Sequence, residues 1–379
     1  MVTVYLDHAA TTPVRGEALH AMLPWFSEHF ANASGSYAAA REARQAVDCA
    51  RGQIAQAIGA KRGEIYFTSG GSEADNWALQ GILRANPAKK HVITTMIEHH
   101  AMLRTCEALE KQGFRLTYLP VDRSGRIDPD AVERAVSEDT ALISVMLANN
   151  EVGTIEPVGA IAKIAQAHGV VVHTDAVQAV GHIPVNVQTL GVDMLSMSAH
   201  KFGGPKGIGA LYIRDGVRID SLIYGGAQER NLRAGTENVP GIVGMGEALR
   251  LACLELPDQM ARVARMRDAM QEDILRRIPG AHVNAQDADR LPGHLHVTLD
   301  GADSNLLLMQ LDMAGIAASA GSACSSGALE RSHVLLAMGV SGVHQADIRF
   351  TLGAENTPEE IGQAVSALER IIKRSSHHT

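Results

Sequence analysis

The sequence predicts an α/β protein, with a large domain wound around a seven-stranded, mostly parallel sheet and a smaller α/β domain behind it. Three observations predict this. Between residues 64 and 213 short apolar runs alternate with helical patterns. Those runs are apolar throughout rather than at every second position, as strands covered on both faces are. Beyond them a strand-free helical stretch separates a second, shorter set of strand patterns.

Taken in order, the first seven strands are read at 64–68, 91–95, 114–119, 141–147, 170–174, 193–197 and 208–213. From 241 to 278 a run rich in Ala, Leu, Met and Arg, interrupted at Pro257, reads as helix and bridges to the second domain. Strands follow at 294–299, 316–318 and 348–352, and 358–373 is an amphipathic terminal helix opened by Thr357 and Pro358. The expected division is a large domain over 15–255 and a small one built from 1–14 and 256–379.

Composition sets the outer limits. The 379 residues, at roughly 150 per domain, allow two or three domains. Apolar residues at 46% and charged residues at 20% are ordinary for a globular chain, which excludes disorder. Aromatics are only 4%, so the core has to be built from Ala, Val, Leu, Ile and the 14 Met. The formal charge of −8 and the lack of a basic block argue against a nucleic-acid partner. No uncharged apolar run approaches the roughly 18 residues that span a bilayer, so no membrane association is expected. The N-terminus lacks the basic start and apolar middle of a signal peptide, and the chain is expected to be cytoplasmic. Cys49, Cys106, Cys253 and Cys324 have no CxxC spacing and fit neither a disulfide framework nor a zinc site.

In a wound sheet the ligand crevice lies beyond the carboxyl ends of the strands. The residues there are polar. Thr68-Ser-Gly-Gly-Ser-Glu73 offers glycines for close backbone approach, and Ser72 as a cap for a helix start that can hold a phosphate, though alone it reads as a plain turn. Glu98-His99-His100 follows the second strand; adjacent imidazoles diverge and no third ligand is spaced for a metal, so none is expected. Asn149-Asn150-Glu151 follows the fourth, and Asp175 lies just past the fifth, where a carboxylate is rare unless it meets a cation. Ser198-Ala-His200-Lys201 follows the sixth. Lys201 alone reads as a solvated turn lysine. The whole set, an anion cradle, imidazole, amide, buried carboxylate and lysine, is what an anionic aldehyde cofactor with a protonated ring nitrogen requires.

At this point the chain resembles a known family, the pyridoxal-phosphate-dependent cysteine desulfurases of the NifS/IscS type, over essentially its whole length. The likeness rests on Tyr5-Leu-Asp-His-Ala-Ala-Thr-Thr-Pro13, Thr68–Glu73, Asn149-Asn-Glu-Val-Gly-Thr154, His173–Gln178, Ser198–Lys201, Arg233-Ala-Gly-Thr-Glu-Asn238, Ala320-Gly-Ser-Ala-Cys-Ser-Ser-Gly327 and Asp347-Ile-Arg-Phe350. The resemblance implies a pyridoxal 5'-phosphate transferase of fold type I. It implies that Lys201 forms the Schiff base, Asp175 pairs with the pyridinium nitrogen, Gln178 bonds the ring phenolic oxygen and His99 stacks on the ring. Gly71, Ser72, Ser198 and His200 would hold the phosphate, with Thr236 from the partner subunit of a homodimer. Asn150 and Arg349 would receive the carboxylate of L-cysteine, with Asn32 nearby. The family's usual Asn-Pro-Ser-Ser is here Asn32-Ala-Ser-Gly35.

Cys324 differs from the other cysteines. Cys49, Cys106 and Cys253 lie in helical patterns, where cysteine is usually a small hydrophobe. Cys324 lies among small residues and glycines, in a segment expected to be an exposed, mobile loop of the small domain. The implied reaction converts L-cysteine to L-alanine and leaves a persulfide on Cys324 for a sulfur-acceptor protein, an iron–sulfur scaffold or a thiolation enzyme. Rival readings are a selenocysteine lyase or an aminotransferase on the same cofactor, and a non-catalytic sulfur-carrier module.

Overall fold

The computed structural model describes residues 4–321, 331–340 and 345–375. Twelve strands are described. In chain order they are β1 (Val4–Tyr5), β2 (Ile65–Thr68), β3 (His91–Thr95), β4 (Arg115–Leu119), β5 (Thr140–Ser144), β6 (Val171–Asp175), β7 (Met194–Ser198) and β8 (Gly209–Ile213), then β9 (Ala281–Val283), β10 (His294–Asp300), β11 (Ile316–Ala317) and β12 (Gln345–Thr351).

Seven of these form one sheet in the order β2-β8-β7-β6-β5-β3-β4. It is parallel except at β8, which runs antiparallel to both β2 and β7. The expected strands are all present. β5, β6 and β7 sit within a few residues of the expected bounds, and all residues of β3, β5, β7 and β8 are buried, as crossover helices on both faces require. After β5 the chain keeps bonding to β6, through Val145 N–H to His173 O and Leu147 N–H to Asp175 O, which is why the apolar run outlasts the strand. The winding reverses between β3 and β5, so the ends of these two strands flank the crevice.

Glycine decides one close approach. Gly209 pairs with both Thr68 and Ser198, and a Cβ there would lie 2.6 Å from Met197 O and 2.7 Å from Gly70 Cα. No side chain fits without moving backbone, so the loops after β2 and β7 are brought against each other by the missing atom.

The second core belongs to a three-stranded antiparallel sheet, β12-β10-β9, and the parallel pair β1–β11. Val4, Leu6, Leu295, Val297, Phe350 and Leu368 meet there. β1 and β9 are too short to show a period in sequence. The helix Val239–Arg277 ties the two cores together: Ile242, Met245 and Leu249 pack into the large one, Met266, Met270 and Ile274 into the small one. Contrary to the sequence expectation it is not interrupted at Pro257. A proline inside a helix removes one N–H and crowds the carbonyl four residues back. Pro257 lies exposed between the two anchored halves, so burial on either side outweighs that cost.

Candidate functional site

The sheet delivers the site residues from the carboxyl ends of five strands. Asp175 is the last residue of β6 rather than a residue beyond it, paired in register with Ser196 of β7 and 5% exposed. Its Oδ1 accepts the Val177 N–H at 2.9 Å. Burial pushes its carboxyl up, against the pull of that N–H and of the Lys201 cation.

Lys201 ends a short 3-10 turn, Ala199–Lys201, directly after β7. Its Nζ donates to Ala9 O and, at 2.9 Å, to Ala10 O. Gln178 Nε2 donates to the same Ala9 O at 3.0 Å. The N-terminal motif is thus stitched to the lysine turn: Thr12 Oγ1 donates to His200 O at 2.9 Å and accepts from Gly203 N–H at 2.8 Å. His182 Nε2 lies 2.7 Å from Lys201 O, and since a carbonyl only accepts, that nitrogen carries the proton.

His99 caps the helix His100–Glu110, its Nδ1 accepting the Ala101 N–H at 3.1 Å. The neutral ring therefore keeps its proton on Nε2. Burial first, then the Lys201, His100 and His333 charges, pushes its pKa down to about 4, so it is an uncharged imidazole at neutral pH. His200, with Nδ1 3.1 Å from Thr11 Oγ1, is held at about 4 by burial and by Lys201 and Lys206.

Gly71 opens the helix Gly71–Ala85, and Gly70, not Ser72, is its N-cap, so the expected cap is corrected. Ser72 already has helical backbone as the second residue and is exposed. A Cβ on Gly71 would fall 2.7 Å from Val177 Cγ2 and 3.7 Å from Ser198 Cβ, which places the helix start against the loop after β6 and the end of β7. Arg233 clamps this loop through Glu73, Nε to Oε1 at 2.8 Å and Nη2 to Oε2 at 3.0 Å. Thr236 is exposed and lines a hollow with Thr68, Ser69, Gly207 and Arg233 of its own chain.

Arg349 comes from β12 of the small sheet and is 2% exposed. Its Nη1 donates to Asn150 O at 2.8 Å and Gly321 O at 2.7 Å, and its Nη2 to Asp7 Oδ1 at 2.7 Å. Asn150 keeps a buried side-chain Oδ1 without a partner. Asn32 stands apart: it is exposed, its Oδ1 accepts the Ser34 N–H at 2.8 Å, and no hydrogen bond links it to Arg349 or Asn150. Cys324 lies outside the described residues. Of the other cysteines, burial pushes the Cys106 thiol up to about 12, and Cys253 is also raised by burial, while Cys49 is exposed on a helix.

Sequence reasoning assigned no role to three carboxylates. Asp75 is buried beside His173, 3.7 Å from its Nε2, and is held well above the usual carboxylate range by burial and by Asp175 and Glu98. Glu151 is buried and accepts from Ser332 Oγ. Asp7 takes the guanidinium of Arg349. The signal for Asp7 was present, a lone acid at the end of an apolar N-terminal run, but its partner is 342 residues away.

The sequence profile of the aminotransferase class-V family matches residues 4–363. A cysteine desulfurase IscS of Dictyoglomus turgidum is 51% identical over 373 residues, covering 98% of this chain and 95% of its own length. Another, from Methanosarcina thermophila, is 49% identical, covering 98% of this chain and 92% of its own. Among solved structures, one titled NifS-like protein has a TM-score of 0.92 at 38% identity, covering 98% of this chain and all of its own. A second, titled SspA in complex with cysteine, has a TM-score of 0.82 at 36% identity, covering 93% and 99%.

Proposed function

Because the chain belongs to the aminotransferase class-V family and is a cysteine desulfurase, we propose that pyridoxal 5'-phosphate is its cofactor and that the crevice around Lys201 and Asp175 holds it. The observation that carries this reading is that a lysine amine and a side-chain amide converge on the carbonyls of Ala9 and Ala10, with a buried carboxylate close enough to feel the lysine's charge. The residues fit such a group. Asp175 is a buried acid that needs a cationic partner, which a protonated ring nitrogen supplies. His99 is an uncharged imidazole able to lie against a ring, and the glycines at the start of Gly71–Ala85 leave free N–H groups for a phosphate.

When bound, the cofactor supplies an electron sink for charge developing at the substrate α-carbon. The chain's own residues do the rest. Lys201 holds the cofactor and moves the α-proton, and Asp175 keeps the ring nitrogen protonated. Gln178 bonds the ring oxygen; Gly71, Ser72, Ser198 and His200 hold the phosphate, with Thr236 of the second subunit in a homodimer. Arg349 takes the L-cysteine carboxylate on its planar fork, beside the Asn150 amide. Cys324 then acts as the nucleophile: its thiolate attacks the substrate sulfur, the carbon–sulfur bond breaks, and the product is alanine with a persulfide on Cys324 for transfer to an acceptor protein.

The test is mass spectrometry of the cofactor-loaded protein after L-cysteine without reductant. One added sulfur on the peptide carrying Cys324 is expected. Added sulfur on Cys49 or Cys253, with none on Cys324, would overturn the assignment.

A further inference from the structure

We propose that Asp7 is an internal rival of the substrate carboxylate, a counter-ion that occupies Arg349 and sets how tightly the amino acid binds. The proposal rests on the reading that Arg349 receives that carboxylate.

The argument starts from the five N–H groups of a guanidinium. Both hydrogens of Arg349 Nη1 are used by backbone carbonyls, of Asn150 at 2.8 Å and Gly321 at 2.7 Å. These acceptors cannot leave without moving two chain segments. Nη2 donates to Asp7 Oδ1 at 2.7 Å, while Nε is buried without a partner. A carboxylate that binds in two-pronged fashion needs two parallel N–H groups along one edge. Among the described residues, the edge not taken by carbonyls is Nε with Nη2, and Asp7 already places its charge on Nη2 through one oxygen, leaving the second Nη2 hydrogen beside it.

An incoming carboxylate therefore meets a cation that is already neutralised. Glu151 is buried nearby and feels the Arg349 charge, but its hydrogen bond goes to Ser332. Two carboxylates on one buried guanidinium leave uncompensated negative charge, so each weakens the other. Asp7 is able to give way by its side chain alone. Its side chain is 18% exposed. Its backbone is fixed by the Tyr5 hydroxyl, which donates to Asp7 O at 3.1 Å, and by the neighbouring His8 N–H, which bonds Thr351 O at 3.3 Å. In the empty enzyme the same contact spares the molecule an unpaired buried cation.

The experiment uses full-length, cofactor-loaded wild type, Asp7→Asn and Arg349→Gln, with Asp7→Ser as a second variant should the asparagine fail to fold. Affinity for L-alanine and for L-alaninamide, which lacks the carboxylate, is measured by titration calorimetry. Asp7→Asn is expected to bind L-alanine on the order of tenfold tighter, with L-alaninamide unchanged, and to lower the KM for L-cysteine without raising kcat. Equal or weaker L-alanine binding, or the same gain for L-alaninamide, would overturn the proposal. Arg349→Gln separates the two layers. Unchanged L-alanine affinity in that variant refutes the carboxylate role of Arg349 itself, and with it this proposal. A large loss there, with no gain in Asp7→Asn, refutes the rivalry alone.

Discussion

Replacing Asp175 by asparagine is expected to move stability and turnover in opposite directions. The amide has the same shape, and its oxygen still accepts the Val177 N–H that Asp175 Oδ1 takes at 2.9 Å, so packing at the end of β6 is retained. What disappears is a carboxylate only 5% exposed. The folded state raises its pKa, mainly by burial. An acid of this kind binds its proton more tightly folded than unfolded. It therefore costs stability as pH rises from the ordinary aspartate range through the folded value, and the full cost is present at neutral pH. The cofactor-free Asp175→Asn protein should thus melt at or above the wild-type temperature at pH 7.5, with the difference vanishing near pH 4. Turnover follows the other sign. Two unit charges about 4 Å apart at an effective dielectric near 20 interact by about 4 kcal/mol, or about three pKa units. In the proposed arrangement, losing the carboxylate would remove the group that keeps the ring nitrogen protonated, and kcat should fall on the order of a thousandfold. Thermal melts of the cofactor-free protein and steady-state alanine formation with saturating cofactor read the two effects. A variant that melts far below wild type, or keeps kcat within threefold with cofactor bound, would refute the reasoning.

Three further outcomes are expected. Borohydride reduction followed by peptide mapping should place the cofactor on Lys201 and not on the nearby Lys206, and Lys201→Ala should lose the yellow colour. Cys106→Ser should leave turnover unchanged, because a thiol held near 12 is protonated and buried, whereas Cys324→Ser should bind cofactor yet release neither alanine nor sulfide. Glu229→Gln should cost about 3 to 5 kcal/mol in denaturant unfolding, since Arg51 binds that carboxylate through two 2.7 Å contacts in a buried pocket; a loss below about 1 kcal/mol would contradict it.

The large sheet was legible because most of its strands are apolar runs with polar chemistry at their carboxyl ends, a pattern that does not depend on tertiary contact; the edge strand β4, with Arg115 exposed, is the exception. β1 and β9, of two and three residues, were not read as strands, whereas the equally short β11 was. The interruption at Pro257 was misread because local proline chemistry is outweighed by two separate cores, which no local window shows. In the candidate site, Lys201, Gln178 and His99 lie within a few residues after strands and Asp175 ends one, so they could be found by position. Asp7 and Asp75 could not, since their meaning lies in partners brought close by the fold, Arg349 for one and His173 for the other. The same holds for the N-terminal motif: its Ala9 carbonyl accepts from both Lys201 and Gln178, a role invisible in an alanine.

The most direct test of the account is to incubate the purified, cofactor-loaded protein with L-cysteine and a thiol reductant and to quantify alanine and sulfide together. Equal amounts of the two are expected, both abolished in Lys201→Ala and in Cys324→Ser. Pyruvate and ammonia in place of alanine, or undiminished alanine from Cys324→Ser, would contradict it.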